Sequence, residues 1–179
     1  MPRIPYADLE SLPPDVREEI GRFGVLNVTR MLANTGPVVG HWTAVIHSLL
    51  TDPDLRPALR ELAILRVGYR LDCAYEHEQH VGVARKVGVS EAAIAAVRNE
   101  RPDSAALGRD GRAVVDLVDQ LLNTGTVDDE GFAAVRRILG DATTVKLLLT
   151  VGCYVTTAYV LNATQVELDE TARLNLPVT

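Results

Sequence analysis

The sequence predicts an all-α helical bundle, and three observations carry that expectation. Apolar residues recur at three- and four-residue steps in one segment after another. Short breakers rich in Gly, Pro, Asn and Thr separate those segments. No run alternates polar and apolar with period two over the length of a strand. A chain of 179 residues fits one domain. The expected organisation is an N-terminal arm and short helix over residues 1–26, a helical domain over 27–168 and a tail over 169–179.

The elements follow in order. Pro2, Pro5, Pro13 and Pro14 punctuate an irregular start, and a short helix is expected after Pro14, where Asp15, Glu18 and Glu19 favour the positive end of the helix dipole. One turn of helix is expected near Val28–Ala33, ended by Asn34-Thr35-Gly36-Pro37. Trp42, Val45, Ile46 and Leu49 mark a helix from Val38 to about Leu50. Leu55, Leu59, Leu62 and Tyr69 mark the next, from Leu55 to Arg70, and Cys73 to Lys86 follows, stopped by Gly88. Ser90 caps a short helix over Glu91–Val97. The polar stretch Asn99–Asp110 reads as a long loop or internal boundary, with helix able to resume from Ala105. Val114, Leu117, Val118, Leu121 and Leu122 form an amphipathic helix ending at Gly125. Thr126-Val-Asp-Asp129 resembles a capping box for a helix holding Phe132, Val135 and Ile138. The last helix, Thr143–Leu161, is apolar around much of its circumference, as expected for a bundle centre or an interface. Asn175–Thr179 reads as an arm.

Composition excludes several classes of function. The formal charge of −6 and the lack of a long basic run oppose nucleic-acid binding. Two cysteines, Cys73 and Cys153, cannot frame a disulfide scaffold for a chain this long. A hydrophobic share of 47% opposes disorder. Uninterrupted apolar runs are short of a membrane span, and the N-terminus lacks a signal-like apolar core. A cytoplasmic protein without a membrane partner is the expectation.

Chemistry concentrates between Glu61 and His80. At about 100° per residue, Cys73, Glu76, His77 and His80 share one helix face, with Tyr75 turned to the other side. Glu61 interrupts an apolar stripe on the preceding helix, and a carboxylate there is costly to bury without a partner. His80 can supply that partner if the two helices pack antiparallel across Leu71–Asp72. Such a pair would orient the imidazole for proton transfer. A buried pair of Glu61 with Arg66 or Arg70 explains the same carboxylate structurally. A helix-surface pair explains Glu76 and His80, and an inert core thiol explains Cys73. A first-turn position would favour a lowered thiol pKa at Cys73. Glu76, His77 and His80 could ligate a metal, but a second Glu-x-x-His is absent, so no metal is expected.

This segment resembles the carboxymuconolactone decarboxylase family, which includes the AhpD-like alkylhydroperoxidases. The shared pattern is Glu, eleven residues, Cys-x-x-Cys or a variant, three residues, His, then a small-residue helix ending in Gly. Here it reads Glu61, Cys73-Ala-Tyr-Glu76, His80, Ala84 and Gly88-Val-Ser90, flanked by Arg60-Glu61-Leu62-Ala63-Ile64-Leu65 and Val151-Gly152-Cys153-Tyr154. The resemblance covers most of residues 27–168, with 50–100 as its specific part. It implies an AhpD-like helical bundle and homo-oligomers (dimers, trimers or hexamers) with sites near subunit contacts. In the peroxidase branch a Glu–His relay activates a dithiol; here Glu76 stands at the second cysteine position and breaks it. The relay positions Glu61 and His80 remain.

Three functions follow. The first is acid–base chemistry without a cofactor on a small organic acid or lactone. In it His80 moves a proton, Glu61 tunes it, Glu76 and Tyr75 bind or polarise substrate, and His77 and Arg66 are further binding candidates. The second is a one-cysteine thiol peroxidase through Cys73. The third is a non-catalytic oligomeric binding protein using the same cavity.

Overall fold

A computed structural model describes residues 1–22, 24–99 and 104–170. The expected arm at Asn175–Thr179 lies outside the described residues, as do residues 100–103 of the expected loop. Among the described residues every regular element is helical. In chain order these are α1 (Pro14–Gly21), α2 (Asn27–Leu32), α3 (Val38–Leu50), α4 (Pro57–Arg70) and α5 (Ala74–Lys86). They continue with α6 (Glu91–Arg98), α7 (Ser104–Thr124), α8 (Asp129–Leu139) and α9 (Asp141–Thr164), and single 3-10 turns lie at Leu9–Ser11 and Ala33–Thr35.

The sequence periodicity locates these helices to within a few residues, and the departures have local causes. Helix α4 starts at Pro57 rather than Leu55, because Pro occupies a first-turn position where no amide donor is needed. Cys73 is the N-cap of α5 and has non-helical backbone, so it is not part of the helical arc. The expected loop after Asn99 is helical from Ser104 on, broken only where Gly108 takes a positive φ of 64°. Asp128, not Thr126, caps α8 and accepts from the Gly131 amide, while Thr126 lies in the turn before it.

Helix α4 is the hub. Every residue from Leu59 to Gly68 is buried, because α5, α6, α7 and α9 all pack on it. Its aliphatic residues join Leu117, Val118, Val135, Leu147 and Val151 in one core. A smaller core of Leu12, Val16, Ile20, Ala33 and Val39 fixes α1 against α3. Gly68 allows α4 and α5 to approach closely, since a Cβ there would meet Glu76 Cβ and the His77 amide nitrogen at 3.4 Å.

Burying α4 on all sides requires its charged residues to be partnered. Arg66 has no exposed surface. Its guanidinium donates to both oxygens of Asp119 on α7, at 2.7 and 2.8 Å. It also donates to the carbonyls of Val97 and Asn99 at 2.7 and 2.5 Å. One side chain therefore ties α4 to α7 and to the end of α6. Arg70 joins the same carboxylate at 2.6 Å.

Helix α9 is longer than expected and is 24 residues long, with a mean hydropathy of 1.5 in its most apolar window. By length and composition it could cross a membrane, which counting uninterrupted runs did not register, because Thr and Gly interrupt a run without lowering the average much. Half of that window is buried inside the protein. Its outer side exposes Val145 and Leu149 beside Trp42 of α3, forming an apolar groove.

Removing Asp119 would leave the buried Arg66 cation without its carboxylate. Asp119→Ala should therefore lower stability by roughly 3–5 kcal/mol in urea unfolding. Asp116→Ala, which removes only the surface pair with Arg112 at 2.7 Å, serves as a control. That substitution should cost less than about 1 kcal/mol.

Candidate active site

Glu61 sits in the middle of α4 with no exposed surface. Its two oxygens have two partners from two directions. Arg60 Nε donates to Oε1 at 3.1 Å, and His80 Nδ1 lies 2.8 Å from Oε2. Arg60 is itself buried and donates from Nη1 to the Leu50 carbonyl at 2.5 Å. The antiparallel α4–α5 hairpin thus brings Glu61 and His80 together as the spacing predicts. The structural alternative, a pair with Arg66 or Arg70, is not formed, because Asp119 takes both arginines. The sequence neighbour Arg60, which sequence reasoning passed over, supplies the cation.

With Arg60 on one oxygen, Glu61 acts as an acceptor and His80 Nδ1 donates to it. In the neutral ring this arrangement leaves the lone pair on Nε2. The imidazole is held from its other side by Tyr154 of α9, edge to face at 4.9 Å between ring centres. Burial pushes the Tyr154 phenol well above its ordinary pKa, with the Glu61 and Glu76 carboxyls adding to the effect.

His80 lines a cavity together with Tyr75, Glu76 and Gln79 of α5. The remaining wall comes from Leu26, Val28, Thr29 and Leu32 around α2, Trp42, Thr43, Ile46 and Leu50 of α3, and Tyr154, Thr157 and Leu161 of α9. The cavity volume is about 80 Å³, and with the open mouth included the space between these residues is about 620 Å³. Glu76 is 3% exposed, and neither carboxylate oxygen has a hydrogen-bond partner among the described residues. Desolvation pushes its pKa well above the ordinary glutamate value. The cavity therefore holds a carboxyl and an imidazole one helical turn apart.

The other candidates are placed differently. Cys73 is 1% exposed, is not part of the cavity wall, and packs on Ala158 and Leu161. Burial pushes its thiol up to about 12, the Glu76 carboxyl adds to this, and the Glu76 and Tyr75 amides offset only part of it. The expected lowering by the helix start is overturned, because desolvation outweighs those amides. Cys153 is a free thiol in the groove with Trp42, and its pKa is also raised by burial. Tyr75 does not turn away from the site. It lines the cavity because both sides of the first turn of α5 are covered. Its hydroxyl donates to Asp169 and accepts the Val28 amide at 3.2 Å, so it shapes the wall. His77 faces outward and stacks on Tyr69 at 4.7 Å, and burial lowers its pKa. Arg66 is held by Asp119 and does not reach the cavity. Among the described residues no three His, Cys, Asp or Glu side chains converge as metal ligands do.

Sequence reasoning missed Trp42, Tyr154 and Asp169. Asp169 accepts from the Asn27 amide at 2.9 Å and from Gln79 Nε2 at 3.1 Å, besides Tyr75. It pins the segment after α9 to the cavity wall. Gln165, with a left-handed φ of 55°, makes the turn that returns the chain there. No local pattern marks such a residue, since its partners are up to 142 positions away.

Residues 37–109 match the carboxymuconolactone decarboxylase family. The chain carries that family's segment. The resemblance drawn from Glu61, Cys73, Glu76 and His80 is to this family. Two solved structures share the fold. One is an alkylhydroperoxidase AhpD core, an uncharacterized peroxidase-related protein from Ralstonia eutropha JMP134, with TM-score 0.79, 19% identity and coverage of 94% of this chain and 93% of its own. The other is a protein of unknown function from Agrobacterium tumefaciens named as a candidate AhpD antioxidant defence protein. It has TM-score 0.68 and 22% identity, and covers 77% of this chain and 95% of its own. No curated protein matches the chain. The AhpD-like helical fold is therefore shared over nearly the whole chain.

Two outcomes follow from this electrostatics. Cys73 in the native protein should resist iodoacetamide at neutral pH and react only after unfolding, as followed by intact mass. Glu76 binds its proton more tightly when folded than when unfolded, where the ordinary glutamate pKa of 4.5 applies. Between that value and its folded pKa the native state binds more protons, so stability falls as pH rises. Glu76→Gln should remove this fall. The variant should gain over wild type in urea unfolding at pH 8, relative to the difference seen below the unfolded pKa.

Proposed function

We propose that the chain is a cofactor-free acid–base enzyme of the lyase or decarboxylase type, acting on a small organic acid or lactone. The observation that carries this reading is the buried Glu61–His80 pair at 2.8 Å, opening on a cavity that also holds the partnerless Glu76. His80 Nε2 takes a proton from a substrate carbon. Glu61 holds the imidazole in the tautomer that can do so and faces the charge that forms. Protonated Glu76 donates to the substrate oxygen where negative charge develops. This assignment uses a base and an acid in different environments, the usual way for one site to run both roles near neutral pH.

A thiol-peroxidase reading is favoured by the names of both structural relatives, one peroxidase-related and one linked to antioxidant defence. The burial of Cys73 and its thiol pKa of about 12 count against it. The two readings separate in one set of assays. Wild-type protein in D2O with a β,γ-unsaturated butenolide should exchange the proton next to the carbonyl, read by loss of its proton NMR signal. His80→Ala should lower that rate by about a hundredfold or more, within the range of general-base effects. Glu61→Gln should lower it less, and Cys73→Ser should leave it unchanged. If instead wild type consumes cumene hydroperoxide with added dithiothreitol and Cys73→Ser does not, the peroxidase reading replaces this one.

A further inference from the structure

The cavity wall is largely apolar, with Leu26, Leu32, Ile46, Leu50, Leu161 and Trp42 in it. Glu76, Gln79 and His80 supply its carboxyl, amide and imidazole, and two tyrosines and three threonines also line it. Among the described residues no lysine or arginine belongs to the lining. The buried cation Arg60 donates to Glu61 and to the Leu50 carbonyl. Asp169 takes one amide hydrogen of Gln79. Each of these facts bears on the charge of whatever fills the space.

A carboxylate ligand entering this cavity would give up its hydration and meet no lysine or arginine among the described lining residues. An ammonium ligand would need Glu76 ionised, and burial opposes that ionisation. A neutral molecule carries neither cost. Glu76 can give its single acidic hydrogen to an acceptor on such a molecule. This would satisfy a buried group that otherwise lacks a partner. A carbonyl oxygen is the acceptor that fits, and an aliphatic flank fits the leucine and isoleucine wall.

We infer that the cavity selects an uncharged carbonyl compound with an aliphatic flank, a lactone or ketone, and rejects carboxylates and amines. The inference deepens the proposed acid–base function and rests on it only for the chemistry, since recognition follows from the wall. It also narrows the substrate class, from a small organic acid or lactone to the lactone side. In the chemistry, the C–H bond next to the carbonyl breaks and its proton goes to His80 Nε2. The electron pair forms the carbon–carbon double bond, and the Glu76 proton moves to the carbonyl oxygen. The reverse transfers restore both residues, so no further reactant is needed.

Trp42 is the single tryptophan of the chain and lines both the cavity and the groove with Val145 and Leu149, so its fluorescence reports a bound ligand and the Glu76 variants assign the signal to the cavity. The probes are γ-octalactone, octanoate and octylamine, which share a chain length and differ in charge. With full-length protein at neutral pH, γ-octalactone should change Trp42 emission saturably. The two ions should bind at least about tenfold more weakly, corresponding to about 1.4 kcal/mol. Glu76→Leu should weaken lactone binding by about tenfold. Glu76→Gln, which keeps an N–H donor, should retain most of the affinity. Circular dichroism confirms that each variant is folded. Binding of octanoate or octylamine as tight as that of the lactone would overturn the inference. So would the absence of a saturable lactone signal, or equal losses in the two Glu76 variants. Selective lactone binding without proton exchange would support this inference while sinking the acid–base reading, so the two failures are distinguishable.

Discussion

The structure depends on keeping a carboxylate charge inside a helix that is buried on every side. Glu61 has no exposed surface, and its charge is tolerable only because Arg60 and His80 meet its two oxygens. That requirement fixes the packing of α5 on α4, because His80 must stand opposite Glu61. Once His80 is fixed, helix geometry puts Glu76 one turn before it on the same side. A constraint that begins as desolvation thus ends as the arrangement of an acid and a base in a cavity.

The accounting of partners separates structural from chemical polar groups. Arg66 is as buried as Glu61, but four hydrogen bonds to Asp119, Val97 and Asn99 occupy it, and it lies away from the cavity. Its function is to hold α4, α6 and α7 together. Glu76 is buried without any such compensation, although a neutral side chain would be less costly there. A buried polar group without a partner, at the wall of a cavity, marks a place where another molecule completes the bonding. Cys73 shows the opposite case: a reactive residue type made inert by burial among Tyr75, Ala158 and Leu161.

The cavity is assembled from more than the family segment. Residues 37–109 contribute its polar end and the α3 wall. Leu26, Val28 and Leu32 come from before that segment, and Tyr154, Thr157 and Leu161 from after it. Asp169 then ties the chain beyond α9 to Tyr75 and Gln79. Reactive groups and selective walls therefore belong to different parts of the chain, which lets one chemistry be fitted to different ligands.

The sequence by itself determined the helical class and the order of the helices, and it offered the pairing of Glu61 with His80 beside one with Arg66 or Arg70. Those are set by periodicity, by breakers and by a short hairpin. It also identified the unusual residue, Glu76, from its place in the motif. Tertiary structure decided what those residues experience. Whether a thiol is lowered by a helix start or raised by burial depends on what covers it, and Ala158 and Leu161 cover Cys73 from a helix far along the chain. The same holds for Arg66, drawn away by Asp119, for Arg60, turned onto Glu61, and for Asp169, whose partners are distant in sequence. Local sequence encodes periodicity and spacing, whereas burial and partnership are properties of surfaces that meet only when the chain has folded.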